Sequence, residues 1–154
     1  MSGNPETKLK EMGIELPSPA APAANYIPFT ICGKILTISG QIPMGANGIE
    51  FIGKLGDTMD VAGGQAAAKL CAINILAQAK VALGDLANVK QVLKIQGFVN
   101  SVPDFTEHPE VINGASDLLV AVLGESGKHA RCAIGMSSLP RGVSVEVDAT
   151  IEIA

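Results

Sequence analysis

Apolar and polar residues alternate strictly through the last stretch of the chain, Val143, Val145, Val147, Ala149, Ile151 and Ile153 against Ser144, Glu146, Asp148, Thr150 and Glu152. A period of two places the first set on one face of a β-strand and the second on the other. Residues 131–139 alternate as well, Cys132, Ile134 and Met136 against Arg131, Ala133 and Gly135, and Leu139-Pro140-Arg141-Gly142 supplies a turn. The two segments read as a closing hairpin, with Cys132, Ile134 and Met136 turned toward the core. Near the other end, residues 26–40 split into two β-branched runs around Gly33-Lys34 and predict an opening hairpin, while 45–54, bracketed by glycines, predicts a short strand at an edge or bend.

Between these lie two helical patterns. Residues 58–83 carry Leu70, Ile73, Ala77 and Val81 at helical spacing, with Asp57 or Thr58 as N-cap and Asp60 in the first turn. Residues 110–123 offer Val111, Ala115, Leu118, Leu119 and Val122 to a core, and GESGK ends that helix. A strand over 89–99 separates the two, followed by the loop NSVPDFTEHPE, whose prolines forbid regular pairing. Residues 5–13 predict one or two helical turns stopped by Gly13, and LPSPAAPAANY an extended, irregular stretch. The chain therefore divides into an N-terminal arm, 1–17, and a single domain, 18–154. The order ββ(β)αβαββ implies an α+β fold, a mixed sheet with two helices on one face. The other face, polar at Glu146 and Asp148, must meet water or neighbouring subunits.

A length of 154 residues suits one core, and with 47% hydrophobic but only 3% aromatic residues that core is built from Ala, Val, Ile and Leu. The surplus of small apolar residues suggests a subunit interface. A net charge of -4 with scattered lysines and arginines gives no footprint for nucleic acid. Cys32, Cys71 and Cys132 form no CxxC pair, which fits a reducing compartment and no metal knot. The N-terminus lacks a signal-like apolar core, and no apolar run approaches the roughly 18 residues of a membrane span; a cytoplasmic protein without membrane contact is expected.

The sequence contains no GxSxG, Walker loop, HExxH or EF-hand pattern. His108 and His129 read as ordinary solvent-facing residues. Arg131 shares its strand face with small Ala133 and Gly135, leaving room for a ligand, and a guanidinium grips a carboxylate bidentately without losing its charge. Taken alone, Arg131 reads equally as a surface arginine paired with a carboxylate, and Glu146 as an ordinary solvated acid.

Taken together, SGQIP at 39–43, the helix after it, HARCAIGMSSLPRG at 129–142 and VSVEVDA at 143–149 resemble the successive signatures of the reactive-intermediate deaminase (RidA, YjgF) family, also labelled L-PSP endoribonucleases. The spacing from Tyr26 to Ser39 fits as well, and the likeness spans about residues 18–153. The resemblance implies a fold like that of AroH-type chorismate mutases, a homotrimer around a central barrel, and clefts at the subunit boundaries. It implies hydrolysis of small enamines and imines of the 2-aminoacrylate and 2-iminobutyrate type to 2-keto acids and ammonia, with no cofactor. By the same resemblance Arg131 holds the substrate carboxylate, Glu146 positions or activates the attacking water, and Tyr26, Ser39, Gly40 and Asn113 line the cleft. A non-catalytic trimer that binds small carboxylates is the alternative, and an endoribonuclease is disfavoured by the acidic charge. Many family members carry a cysteine two residues after the arginine; here Ala133 stands there, and Cys132 is expected to be buried and unreactive on the opposite face.

Overall fold

The computed structural model describes residues 3–19 and 24–154; residues 20–23, within the expected irregular stretch, lie outside them. Helix α1, Pro5–Glu11, is capped by Asn4, whose side chain accepts from the Glu6 amide at 2.8 Å, and it ends before Gly13. Leu9 of α1 is buried in the same cluster as the sheet and the long helices, and Glu6 pairs with Lys80.

Strands β1, Phe29–Cys32, and β2, Ile35–Gln41, form the opening hairpin. A small two-stranded ladder follows, β3, Met44–Gly45, with β4, Gly48–Ile49. Helix α2, Val61–Leu83, leads to β5, Val89–Asn100; helix α3, His108–Leu123, leads to β6, Ala130–Met136; and β7, Val145–Ile153, closes the chain. The main sheet runs β1-β2-β7-β5-β6, antiparallel except for the parallel β5–β6 pair.

Strand β6 therefore does not form a hairpin with β7, because β5 lies between them. Alternation reports which face a side chain takes but not which strand is its neighbour. The segment with Leu139-Pro140-Arg141-Gly142 turns the chain across the end of β5, where Lys54 Nζ donates to the Ser137 carbonyl at 2.7 Å and to the Asn100 side chain.

Both long helices cover one face of the sheet. Val145, Val147, Ala149 and Ile151 of β7, Leu36 and Ile38 of β2, and Val92, Ile95 and Val99 of β5 are buried there. Each such Ile or Leu contributes about 1.5–3 kcal/mol. Register fixes the faces of β6: Arg131, Ala133 and Gly135 align with Ile95, Gly97 and Val99, and Cys132, Ile134 and Met136 with Gln96, Phe98 and Asn100. Cys132, Ile134 and Met136 thus sit on the open face and not in the core. Ile134 and Met136 are exposed and Cys132 half-exposed, which corrects the expectation that it is buried.

Helix α2 begins at Val61, three residues after the expected start at 58, with Asp60 as the N-cap accepting from the Gly63 amide at 2.8 Å, in place of Asp57 or Thr58. Its buried apolar side chains are Ala67, Ala68, Cys71, Ala72, Ile75, Leu76, Ala77 and Ala79, whereas Val81 is 59% exposed. Small apolar residues all around the helix left no contrasting polar face from which to read the stripe. The same uniformity makes α2 long and apolar enough to cross a membrane by length and composition, contrary to the sequence reading. Its middle is packed between the sheet and α3, as a core helix is. On α3 all five expected core residues are buried.

Candidate functional site

The residues of the SGQIP motif break the β2–β7 ladder, whose register shifts between Ile38 and Gln41. Each has a local task. Ser39 donates from its amide to the Pro28 carbonyl at 2.9 Å and from its hydroxyl to the Ile27 carbonyl at 3.0 Å, which anchors the segment bearing Tyr26. Gln41 donates back to the Ser39 carbonyl at 2.9 Å. Buried Asn74 of α2 donates to the Ile42 and Met44 carbonyls at 3.0 and 3.1 Å, holding the strand exit in place. Gly40 lies against the Glu146 carboxyl: a Cβ there would stand 3.0 Å from the carboxyl carbon and overlap Oε1. Glu146, Gly40 and Ser39 thus form one cluster, and Ser39's bonds to the Ile27 and Pro28 carbonyls tie to it the chain segment that follows the exposed Tyr26.

Glu146 is half-buried on the open face. Burial raises its carboxyl above the ordinary range, and the charge of Asp148 adds to the rise. Burial raises Asp148 too, against the opposing pull of the Gln96 amide and Lys94. Both carboxyls are therefore poised toward the neutral form more than a solvated acid would be.

Arg131 belongs to a second cluster, on the helix side of the edge strand β6. Its Nη1 donates to the Ser116 hydroxyl at 3.1 Å and its Nη2 to the Pro109 carbonyl at 3.2 Å. Pro109, Asn113 and Ser116 fall on one stripe of α3, so Asn113 lies between the two points that hold the guanidinium. Among the described residues Arg131 pairs with no carboxylate, so the surface ion pair that sequence alone allowed is not formed.

The expected site residues thus divide into two groups, Tyr26, Ser39, Gly40 and Glu146 in one, Arg131 and Asn113 in the other. Within one chain they do not meet. Sequence reading missed Ser116 and misjudged His129, which is half-buried and bonded through both ring nitrogens, to Ser116 at 2.9 Å and to the Gly127 carbonyl at 2.6 Å. The signal was present: His129 stands two residues before Arg131, on the same side by alternation. His108 is also half-buried, edge-on to Phe105 and 3.3 Å from the Ser101 hydroxyl.

The sheet with two helices on one face and the interrupted strand beside Glu146 define a chorismate-mutase-like α+β protein. The chain belongs to the YjgF/chorismate-mutase-like, putative endoribonuclease family, whose model matches residues 6–147. It is 49% identical over 153 residues to the protein TCP17 of Trypanosoma cruzi, covering 99% of this chain and 96% of that protein. The crystal structure of Atu1372 from Agrobacterium tumefaciens, a protein described as having unknown function, is 55% identical, with a TM-score of 0.92 over 97% of this chain and 92% of that one. A putative endoribonuclease from Shewanella oneidensis MR-1 is 36% identical, with a TM-score of 0.94 over 98% and 100%.

Proposed function

We propose that the protein is a hydrolytic deaminase of small enamine and imine acids of the 2-aminoacrylate and 2-iminobutyrate type, acting in a cleft between subunits of a homotrimer. The observation that carries this reading is Arg131: a guanidinium fixed by two neutral acceptors on α3 and, among the described residues, without an acidic partner is prepared to receive a ligand carboxylate in a bidentate grip.

The second reagent is a water beside Glu146. The imine carbon is already electrophilic, so the chemistry needs orientation and a proton shuttle. As the water oxygen bonds to the carbon of the protonated imine, Glu146 takes one water proton and leaves a neutral carbinolamine. It returns that proton to nitrogen as the C–N bond breaks, and the hydroxyl gives up its own proton to solvent as the carbonyl forms, releasing ammonia and a 2-keto acid. A carboxyl raised above its usual range is a stronger base for the first step than a solvated glutamate, and it keeps that proton for the second. An enamine enters the same path after tautomerising to the imine.

A small ligand cannot touch Arg131 and Glu146 of one chain, which supports a cleft that takes one cluster from each of two copies. The test is hydrolysis of 2-iminobutyrate, generated in place by an amino-acid oxidase. Wild type should accelerate it and Arg131→Ala should not, with the oligomer intact. No acceleration by wild type, beside an active family deaminase in the same assay, rejects catalysis. Thermal stabilisation by small carboxylic acids that Arg131→Ala abolishes would then mark a binding protein. RNA cleavage lost in both Arg131→Ala and Glu146→Ala would favour the endoribonuclease in the family's description.

A further inference from the structure

We propose that Ser116 and His129 are positioning residues for Arg131, setting the pose in which it meets a carboxylate; this rests on the reading of Arg131 as the carboxylate anchor. Gly127 is buried against α3 so closely that a Cβ would overlap the Leu119 carbonyl oxygen and stand 2.7 Å from its carbon. Only glycine lets the chain approach the helix there, and the approach brings the Gly127 carbonyl to 2.6 Å from His129 Nδ1.

A carbonyl oxygen can only accept, so Nδ1 carries the proton, and in the neutral ring Nε2 is left as an acceptor. Nε2 lies 2.9 Å from the Ser116 hydroxyl, which therefore donates to it. A serine inside a helix would otherwise be free to turn its proton toward the carbonyl one turn back. With that proton committed to His129, the oxygen offers its lone pairs to Arg131 Nη1 at 3.1 Å. The Pro109 carbonyl holds Nη2 at 3.2 Å, so both terminal nitrogens are tethered on the helix side. The guanidinium plane is fixed, and among the described residues its remaining N–H groups meet no acceptor, which leaves them to a ligand. None of this chain of bonds uses a charged partner, which keeps the positive charge of Arg131 undivided.

The sequence makes the test clean, because the chain has only two arginines, Arg131 and Arg141, and two histidines, His108 and His129. In 15N-labelled protein the Arg131 guanidinium should show restricted rotation, while exposed Arg141 averages freely and serves as an internal control. The His129 ring should show the Nδ1–H tautomer. Ser116→Ala and His129→Phe should release Arg131 to free rotation, and Ser116→Thr, which keeps the hydroxyl, should preserve the restriction. In calorimetric titrations with 2-oxobutyrate, Ser116→Ala and His129→Phe should bind on the order of tenfold more weakly at unchanged oligomeric state, and Ser116→Thr should bind as wild type does. The proposal is overturned if Arg131 rotates freely in wild type, or is equally restricted in Ser116→Ala and His129→Phe, or if wild type binds 2-oxobutyrate and both variants bind it as well. If wild type binds no 2-oxobutyrate yet the guanidinium signals respond as stated, Ser116 and His129 do position Arg131, and it is the carboxylate reading that fails.

Discussion

Arg131 and Glu146 project from opposite faces of one sheet with strand β5 between them: Arg131 aligns with Ile95 on the side covered by α3, and Glu146 with Phe98 on the open side. Completing a site that uses both requires a second copy. If the copies form a ring, each cleft takes Arg131 from one chain and Glu146 from the next. Two inactive variants should then rescue each other. Arg131→Ala and Glu146→Gln subunits, mixed in equal amounts and reassembled, should recover up to about a quarter of wild-type hydrolysis, since that fraction of random interfaces joins two intact halves. Mixtures as inactive as the separate variants would argue that each cleft draws both residues from one chain.

Gly40→Ala tests the contact between the interrupted strand and the glutamate. The added methyl overlaps the end of a flexible side chain and no backbone atom, so Glu146 can swing aside at little cost in stability. Displacing a proton-shuttling carboxyl by about 1 Å costs on the order of a hundredfold in rate. Activity should fall by that order while Tm stays close to wild type; a large loss of Tm with full activity in the surviving fraction would show that Gly40 serves packing alone.

These two relationships mark where the sequence could be read and where it could not. The strict alternation of β7 and the spaced core residues of α3 gave correct elements and faces, because one side of each is uniformly apolar. The pairing of β6 and the buried stripe of α2 did not follow, since alternation is blind to neighbours and α2 offers small apolar residues in every direction. Within the candidate site, Arg131 and Glu146 stood out by residue type and family likeness. Ser116 and His129 did not, because their roles come from hydrogen bonds that the close approach of Gly127 to α3 brings into reach.

That kind of close approach also governs the helix pair. Gly114 of α3 meets the backbone of α2 at Gln65, where a Cβ would stand 2.8 Å from the carbonyl carbon and overlap its oxygen. Backbone cannot yield as a side chain does, so Gly114→Ala must push the helices apart. Chemical denaturation should show a loss of about 1–3 kcal/mol or more, with the denaturant slope unchanged. A neutral or stabilising effect would mean that the helices can slide past one another at this crossing.

The two raised carboxyls on the open face make a prediction whose sign differs from that of an ordinary surface acid. A carboxyl that holds its proton more tightly when folded contributes stability that is full below its unfolded pKa and is lost as pH rises through the folded value. Glu146→Gln, which cannot ionise, should therefore raise Tm relative to wild type at pH 7, and the gain should shrink as pH falls through the raised folded value and vanish below about 4, where the wild-type carboxyl is neutral both folded and unfolded. Asp148→Asn acts on the same residue from a distance. Removing its charge withdraws the second cause of the rise in Glu146, so the carboxyl should ionise at lower pH. If Glu146 must ionise to take a proton from water, the acidic limb of the pH–rate profile for 2-iminobutyrate hydrolysis should move to lower pH in Asp148→Asn. A limb that moves upward, or stays fixed while the Tm of Glu146→Gln behaves as stated, would separate the two roles, leaving Glu146 as a destabilising acid on this face but removing it from the rate-determining proton transfer.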